Sequence, residues 1–242
     1  MKNVLVIPAR LKSTRLPRKP LIKIKGKTVI ERTYTQCIKA VAPENVYVVT
    51  DSDEIFKHCR SFGAKVVMTS ESCLTGTDRV AEFSKEIEAD YYINVQGDEP
   101  LINPEDITKV NASIENNKGK IINGYAPIDN EFDYRSKSIP KVVFRQDGRL
   151  LYMSRSPIPS NKENIFIEAW RQICIYAFPK SALNDFSILK QKTRLENNED
   201  IEILRFLEMG YEVYMIELSS ESIAVDTIED LQKVEKKLMN EK

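Results

Sequence analysis

Three stretches of this chain concentrate side chains able to hold phosphate groups or a hard cation. The first runs Pro8-Ala9-Arg10-Leu11-Lys12-Ser13-Thr14-Arg15-Leu16-Pro17-Arg18-Lys19-Pro20 and carries five basic residues from Arg10 to Lys19. Small residues at Ala9 and Ser13 let backbone N–H groups approach phosphate oxygens, while Arg10 and Arg15 offer forked donors and Lys19 a compact charge. The second, Asn94-Val95-Gln96-Gly97-Asp98-Glu99-Pro100, ends an apolar run on a carboxylate, with Gly97 free to make a tight turn. The third, Ala224-Val225-Asp226-Thr227-Ile228-Glu229-Asp230-Leu231, does the same with Asp226. Oxygen ligands at two such ends suit Mg²⁺, which takes one or two protein carboxylates and fills its shell with substrate phosphates and water. Spacing alone leaves a second reading of Asp226 open, as the cap of the helix that follows. Thr227, with Asp230 three residues on, fits that cap at least as well.

Composition narrows the chemistry further. With 36 Lys+Arg against 36 Asp+Glu the formal net charge is zero, so no global field draws the protein to nucleic acid or to an anionic membrane. Any anion it binds must be gathered locally. The single histidine, His58, sits in a polar helical stretch, which argues against a histidine triad, a histidine-rich zinc site or a histidine base. Neither GxGxxG nor GxxxxGK[ST] occurs, which speaks against an ordinary dinucleotide enzyme or P-loop NTPase. Cys37, Cys59, Cys73 and Cys174 form no CxxC pair and read as reduced thiols of a cytoplasmic protein. The first apolar run meets Pro8 and Arg10 too soon for a secretory leader, and no stretch approaches the roughly 20 apolar residues of a membrane span.

These motifs need a frame to bring them together. Short, continuously apolar, β-branched runs alternate with helical periods, the sequence form of parallel strands covered by helices on both faces. Strands are expected at 4–8, 46–50, 65–68 and 91–95, with helices at 29–41, 53–61, 78–87 and 104–115 between or after them. From about 121 to 178 strand-like pieces follow one another without long helices, which predicts an antiparallel excursion. The alternation then resumes with a helix at 196–209, a strand at 211–216 and a last helix at 227–238. In such sheets ligands sit beyond the carboxyl ends of the strands, where the loop from Arg10 to Lys19, Asp98 and Asp226 all fall.

The order of these motifs across nearly the whole chain resembles the CMP-sugar synthetase family, most closely its branch acting on 3-deoxy-ulosonic acids. Beside the stretches above, the resemblance rests on Gly76-Thr77-Asp78-Arg79, Leu151-Tyr152 with Ser154-Arg155-Ser156, Ile175-Tyr176, and Leu195-Glu196 with Glu199, Glu202, Leu204 and Arg205. It implies a nucleotide-diphospho-sugar-transferase-like, Rossmann-like α/β fold over residues 1–242, a mixed sheet whose excursion at about 121–178 serves dimerisation and covers the acceptor. It implies CTP and a sugar acid as substrates, Mg²⁺ as cofactor, and a homodimer. The sugar's anomeric hydroxyl would attack the α-phosphorus of CTP and release pyrophosphate, so the protein needs no nucleophile of its own. Carried over by position, Arg10, Lys19 and Asp98 would be catalytic, and Pro8, Ala9, Arg10, Ser13, Arg15, Lys19, Thr75 and Gly76 would bind the nucleotide. Gln96, Arg155, Gln172, Tyr176, Glu199 and Glu202 would surround the acceptor, and Asp98 and Asp226 would hold the metal. The chain departs from the family pattern at Gln172, where a histidine is usual, at Ile203, where an amide is usual, and in the base-proximal loop from Thr69 to Gly76, so the departures gather on the acceptor and base sides. These departures raise transfer of CMP to a different acceptor as an alternative; a nucleotide-binding regulator without catalysis is another, against which the retained carboxylates argue.

Overall fold

The computed structural model describes residues 1–12 and 15–240. In chain order the elements are β1 (Asn3–Ala9), β2 (Lys23–Ile24), β3 (Lys27–Thr28), α1 (Val29–Ala40), β4 (Val46–Thr50), α2 (Asp53–Ser61) and β5 (Lys65–Met68). They continue with α3 (Gly76–Phe83), β6 (Tyr91–Val95), α4 (Pro104–Ser113), β7 (Ile121–Ile128), α5 (Glu131–Arg135), β8 (Lys141–Phe144) and β9 (Leu150–Ser154). The last are β10 (Ala169–Pro179), α6 (Lys180–Phe186), α7 (Arg194–Glu199), α8 (Ile203–Glu208), β11 (Val213–Glu217) and α9 (Ile228–Asn240). One mixed sheet runs β11-β7-β10-β6-β1-β4-β5, with β8 and β9 branching from β10. β1, β4, β5 and β6 are mutually parallel, whereas β10 enters antiparallel between β6 and β7.

Helices cover both faces because the central strands are apolar on both. Ile30, Tyr34 and Cys37 of α1 and Ile107 and Val110 of α4 pack with Leu5, Ile7 and Ile93 on one side. Val80 and Phe83 of α3, Phe186 of α6 and Phe206 of α8 pack with Val4, Val6 and Tyr92 on the other. A third apolar cluster is smaller and matters more for the site. It gathers Leu16 from the basic loop, Leu101 just after Asp98, Val225 just before Asp226, and Val234 of α9. Burying these four side chains together pins all three sequence motifs to one end of the sheet.

Several elements depart from the sequence reading. α3 starts at Gly76, two residues early, because Thr75 and Asp78 form a capping box ahead of it. The single helix expected at 196–209 is two, since Asp200 takes a left-handed conformation, φ 52°, and ends α7. Thr227 and Asp230 bond each other at the start of α9, the threonine amide and hydroxyl lying 3.0 Å from the carboxylate. That cap leaves both carboxylate oxygens of Asp226 for other partners.

Candidate active site

The three motifs meet in a cleft of about 1050 Å³ at the carboxyl ends of β1 and β6. Gly97 makes the approach possible: a Cβ there would stand 2.7 Å from the Pro8 carbonyl oxygen, so the turn after β6 lies flush against the end of β1. The Val225 amide donates to the Asp98 carbonyl at 2.9 Å. This one backbone bond draws Asp226 alongside Asp98. Lys19, presented by a short turn, then places its ammonium between the two carboxylates, 2.5 Å from Asp98 and 2.9 Å from Asp226, and Arg15 pairs with the second Asp226 oxygen at 3.0 Å. Burial works against the Lys19 charge, but the two aspartates outweigh it and raise its pKa. Burial likewise pushes Asp226 up, yet Lys19 and Arg15 hold its carboxyl below the usual value. Glu99, next to Asp98, turns inward to Ser222; burial and the Asp98 charge push it up to about 7.

Of the residues that the resemblance carried over to the nucleotide, Pro8, Ala9, Arg10, Arg15, Lys19, Thr75 and Gly76 line the cleft. Ser13 lies outside the described residues. Arg10 is exposed, with a long 3.5 Å contact to the Leu74 carbonyl, so its fork remains available to a ligand. Gly76 sits where a Cβ would crowd the Gln96 amide at 3.1 Å. Thr75 spends its hydroxyl on Asp78, 2.6 Å away, and contributes position rather than a free donor. Arg79 was not singled out as a site residue, yet it lines the same wall, held by Asp51 at 2.9 Å and Thr69 at 2.5 Å. Its signal in the sequence was the Thr-Asp-Arg following Gly76.

Of the six residues that the resemblance carried over to the acceptor, five line the cleft. Gln96, Gln172, Tyr176 and Glu202 are on the cleft wall. Glu199 is not: its carboxylate accepts from the Ser154 hydroxyl at 2.7 Å and the Arg155 amide at 2.8 Å, because the break at Asp200 turns it back toward the end of β9. Arg155 reaches the cleft but donates to the carbonyls of Glu199, Lys137 and Asp200 at 2.5, 3.0 and 2.9 Å. It clamps the α7–α8 junction. Glu202 caps α3 from outside that helix, accepting from the amides of Gly76 and Thr77 at 3.2 and 2.8 Å and from the Thr77 hydroxyl at 2.5 Å. Burial raises its pKa against those bonds, and burial pushes the Tyr176 hydroxyl well up. Cleft residues the sequence did not mark on this side include Lys137 and Arg171, whose lone positive charges carry no motif.

A mixed α/β sheet whose strand-end cleft joins a basic loop to two convergent carboxylates is the frame of a nucleotidyltransferase. The sequence profile described as cytidylyltransferase matches residues 4–223, and the chain belongs to that family. A 3-deoxy-manno-octulosonate cytidylyltransferase of Protochlamydia amoebophila is 42% identical over 238 residues, 95% of this chain and 92% of the relative. One of the same name from Chloroherpeton thalassium is also 42% identical, over 97% of this chain and 96% of its own. A solved CMP:2-keto-3-deoxy-manno-octonic acid synthetase complexed with CTP is 33% identical over the whole of both chains, with a TM-score of 0.92. The fold alone extends to a putative glucose-1-phosphate thymidylyltransferase from Bacillus anthracis, 14% identical with a TM-score of 0.71 over 99% of this chain.

Proposed function

We propose that this cleft transfers CMP from CTP to the anomeric hydroxyl of 3-deoxy-manno-octulosonate or a close 3-deoxy-ulosonate, releasing pyrophosphate. The observation that carries this reading is the Lys19 ammonium held between Asp98 and Asp226 beside Arg10 and Arg15, in a chain aligned end to end with a synthetase solved with CTP. A bond forms from the acceptor oxygen to the α-phosphorus and the bond to the pyrophosphate oxygen breaks. The nucleophile belongs to the substrate, so the chain's work is to position the two reactants and to meet charge as it moves onto the leaving group. Arg10 and Arg15 suit phosphate oxygens as forks, and Lys19, kept charged by its aspartates, as a point charge. Two carboxylates that already converge on one cation fit Mg²⁺, with Asp98 and Asp226 as its holders. When bound, that ion neutralises triphosphate charge and lowers the pKa of a hydroxyl it coordinates.

No described helix is long and apolar enough to cross a membrane, and the four cysteines are unpaired; both are in keeping with work in the cytoplasm beside the CTP supply. On the excursion, Phe132, Ile165 and Ile167 are 81%, 59% and 77% exposed, an apolar face suited to a second copy of the chain. The test of function is pyrophosphate release from CTP and MgCl₂ with a panel of sugar acids. Release that depends on a 2-keto-3-deoxy sugar acid supports transfer. Tight CTP binding without release for any acceptor overturns it.

A further inference from the structure

The middle of β10 is out of step with its neighbour. Ile173 pairs with Gly124 of β7 and Tyr176 with Asn123, so Cys174 and Ile175 have no partners on that strand. Gly124 is packed tightly by side chains here: a Cβ on it would come 3.2 Å from the Ile173 Cβ and 2.3 Å from the Leu218 Cδ1. The carbonyls that the bulge strands on Ile173 and Ile175 are both taken by Asn123, whose Nδ2 donates to each at 2.9 Å. Asn123 is fully buried, and its Oδ1 accepts from the Gln172 Nε2 at 2.9 Å.

This chain of bonds has only one consistent polarity. Carbonyls only accept, so the Asn123 group facing them must be its NH₂, and the atom facing Gln172 must be its oxygen. Gln172 is thereby obliged to turn its own NH₂ toward Asn123. That commits one N–H of its Nε2, while its Oε1, in a side chain on the cleft wall, can only accept.

We propose that Asn123 is a positioning residue that fixes the polarity of the acceptor wall, so that Gln172 turns its Nε2 to Asn123 and offers its Oε1 to accept from a substrate hydroxyl at this place. The inference rests on the transfer reading above and adds to it which group of the sugar acid lies here. The bulge built around Asn123 is what makes this orientation rigid, since rotating the Gln172 amide would set its Oε1 against the Asn123 Oδ1, two acceptors facing each other.

Steady-state pyrophosphate release from wild type, Gln172→Met, Asn123→Leu and the double variant, with 3-deoxy-manno-octulosonate and its mono-deoxy analogues, tests this. Losing one well-placed hydrogen bond should raise the acceptor KM about tenfold in Gln172→Met, with the KM for CTP within twofold of wild type. Wild type should discriminate against one mono-deoxy analogue, and Gln172→Met should lose that discrimination. Asn123→Leu should show the same split, and the double variant should be no worse than the worse single. Should Asn123→Leu not fold, judged by its thermal midpoint, the Gln172→Met results decide. An unchanged acceptor KM with retained discrimination in Gln172→Met overturns the inference, as does an Asn123→Leu effect shared equally by CTP. Wild type without acceptor-dependent release overturns the transfer reading and this inference together; wild-type turnover with an unaltered Gln172→Met overturns this one alone.

Discussion

Lys19 lies 2.5 Å from Asp98 and 2.9 Å from Asp226, so removing its charge acts twice, on the phosphates it would hold and on two carboxylates left facing each other. Lys19→Met should lower kcat/KM by about 10²- to 10³-fold, the usual loss for one charge-stabilising donor, and should weaken CTP binding measured by calorimetry. Asp98→Ala should abolish turnover; activity surviving that change removes Asp98 from the proposed metal site. Lys141 gives a prediction of a different kind. Fully buried, it donates to the carbonyls of Ser136, Ile139 and Arg155 at 2.7, 2.7 and 2.8 Å, and burial, then the Arg155 charge, push it from 10.5 down to about 8 against the pull of Glu199. Between those values the unfolded chain holds a proton that the native protein has shed, so this group's contribution to stability rises with pH there and its cost is fully present below about 8. Urea unfolding from pH 7 to 10 should show wild type gaining on Lys141→Met; a constant difference between the two rejects the assignment. The residues of the basic loop and the strand-end aspartates were legible because their types and their places after apolar runs coincide. The bonds that hold Arg155, Glu199 and Glu202 were not, because a side chain's type gives no sign that neighbouring backbone groups will claim its hydrogen bonds.

The elements on the two sides of the cleft are joined by a buried ionic chain. Arg205 of α8 pairs with Glu196 of α7 at 2.6 and 2.7 Å and with Asp78 of α3 at 2.9 Å, and stands over the Phe186 ring at 3.8 Å. With Arg205 and Glu196 both fully buried, Arg205→Met leaves uncompensated charge and should cost about 3–5 kcal/mol in chemical denaturation. Adding Glu196→Gln should recover part of that, and a further loss of the same size would show that the two do not act as a pair. The parallel strands were readable because continuous apolar runs such as Val46 to Thr50 admit one interpretation. β7 falls where strand-like pieces were expected but has no bounds legible in the sequence, since Asn123, Gly124 and Pro127 interrupt its apolar pattern. Those interruptions are the residues facing the bulge of β10 and the end of its pairing, so the local rule failed where a tertiary contact had replaced it. The break at Asp200 hid for a related reason: a left-handed aspartate carries no glycine to announce it.

For the molecule as a whole, zero net charge masks a separation of charge across one cleft, with the loop from Arg10 to Lys19 set against Asp98 and Asp226. If the exposed face of the excursion joins two copies, Phe132→Asp with Ile167→Asp should convert a dimer to a monomer in sedimentation while leaving the far-ultraviolet circular dichroism unchanged. A wild-type monomer at micromolar concentration rejects that face as a stable contact. The placement of β10 carries one more consequence, for biosynthesis. The strand begins at Ala169 and closes the gap between β6 and β7, although β1, β4, β5 and β6 have all been synthesised by Val95. During that interval the nascent chain carries β6 with one side unpaired, an open template of the kind that invites aggregation. Fragments ending before Pro179 should therefore be insoluble even though they contain the whole parallel unit, and slowing translation between 96 and 168 should lower the yield of native protein.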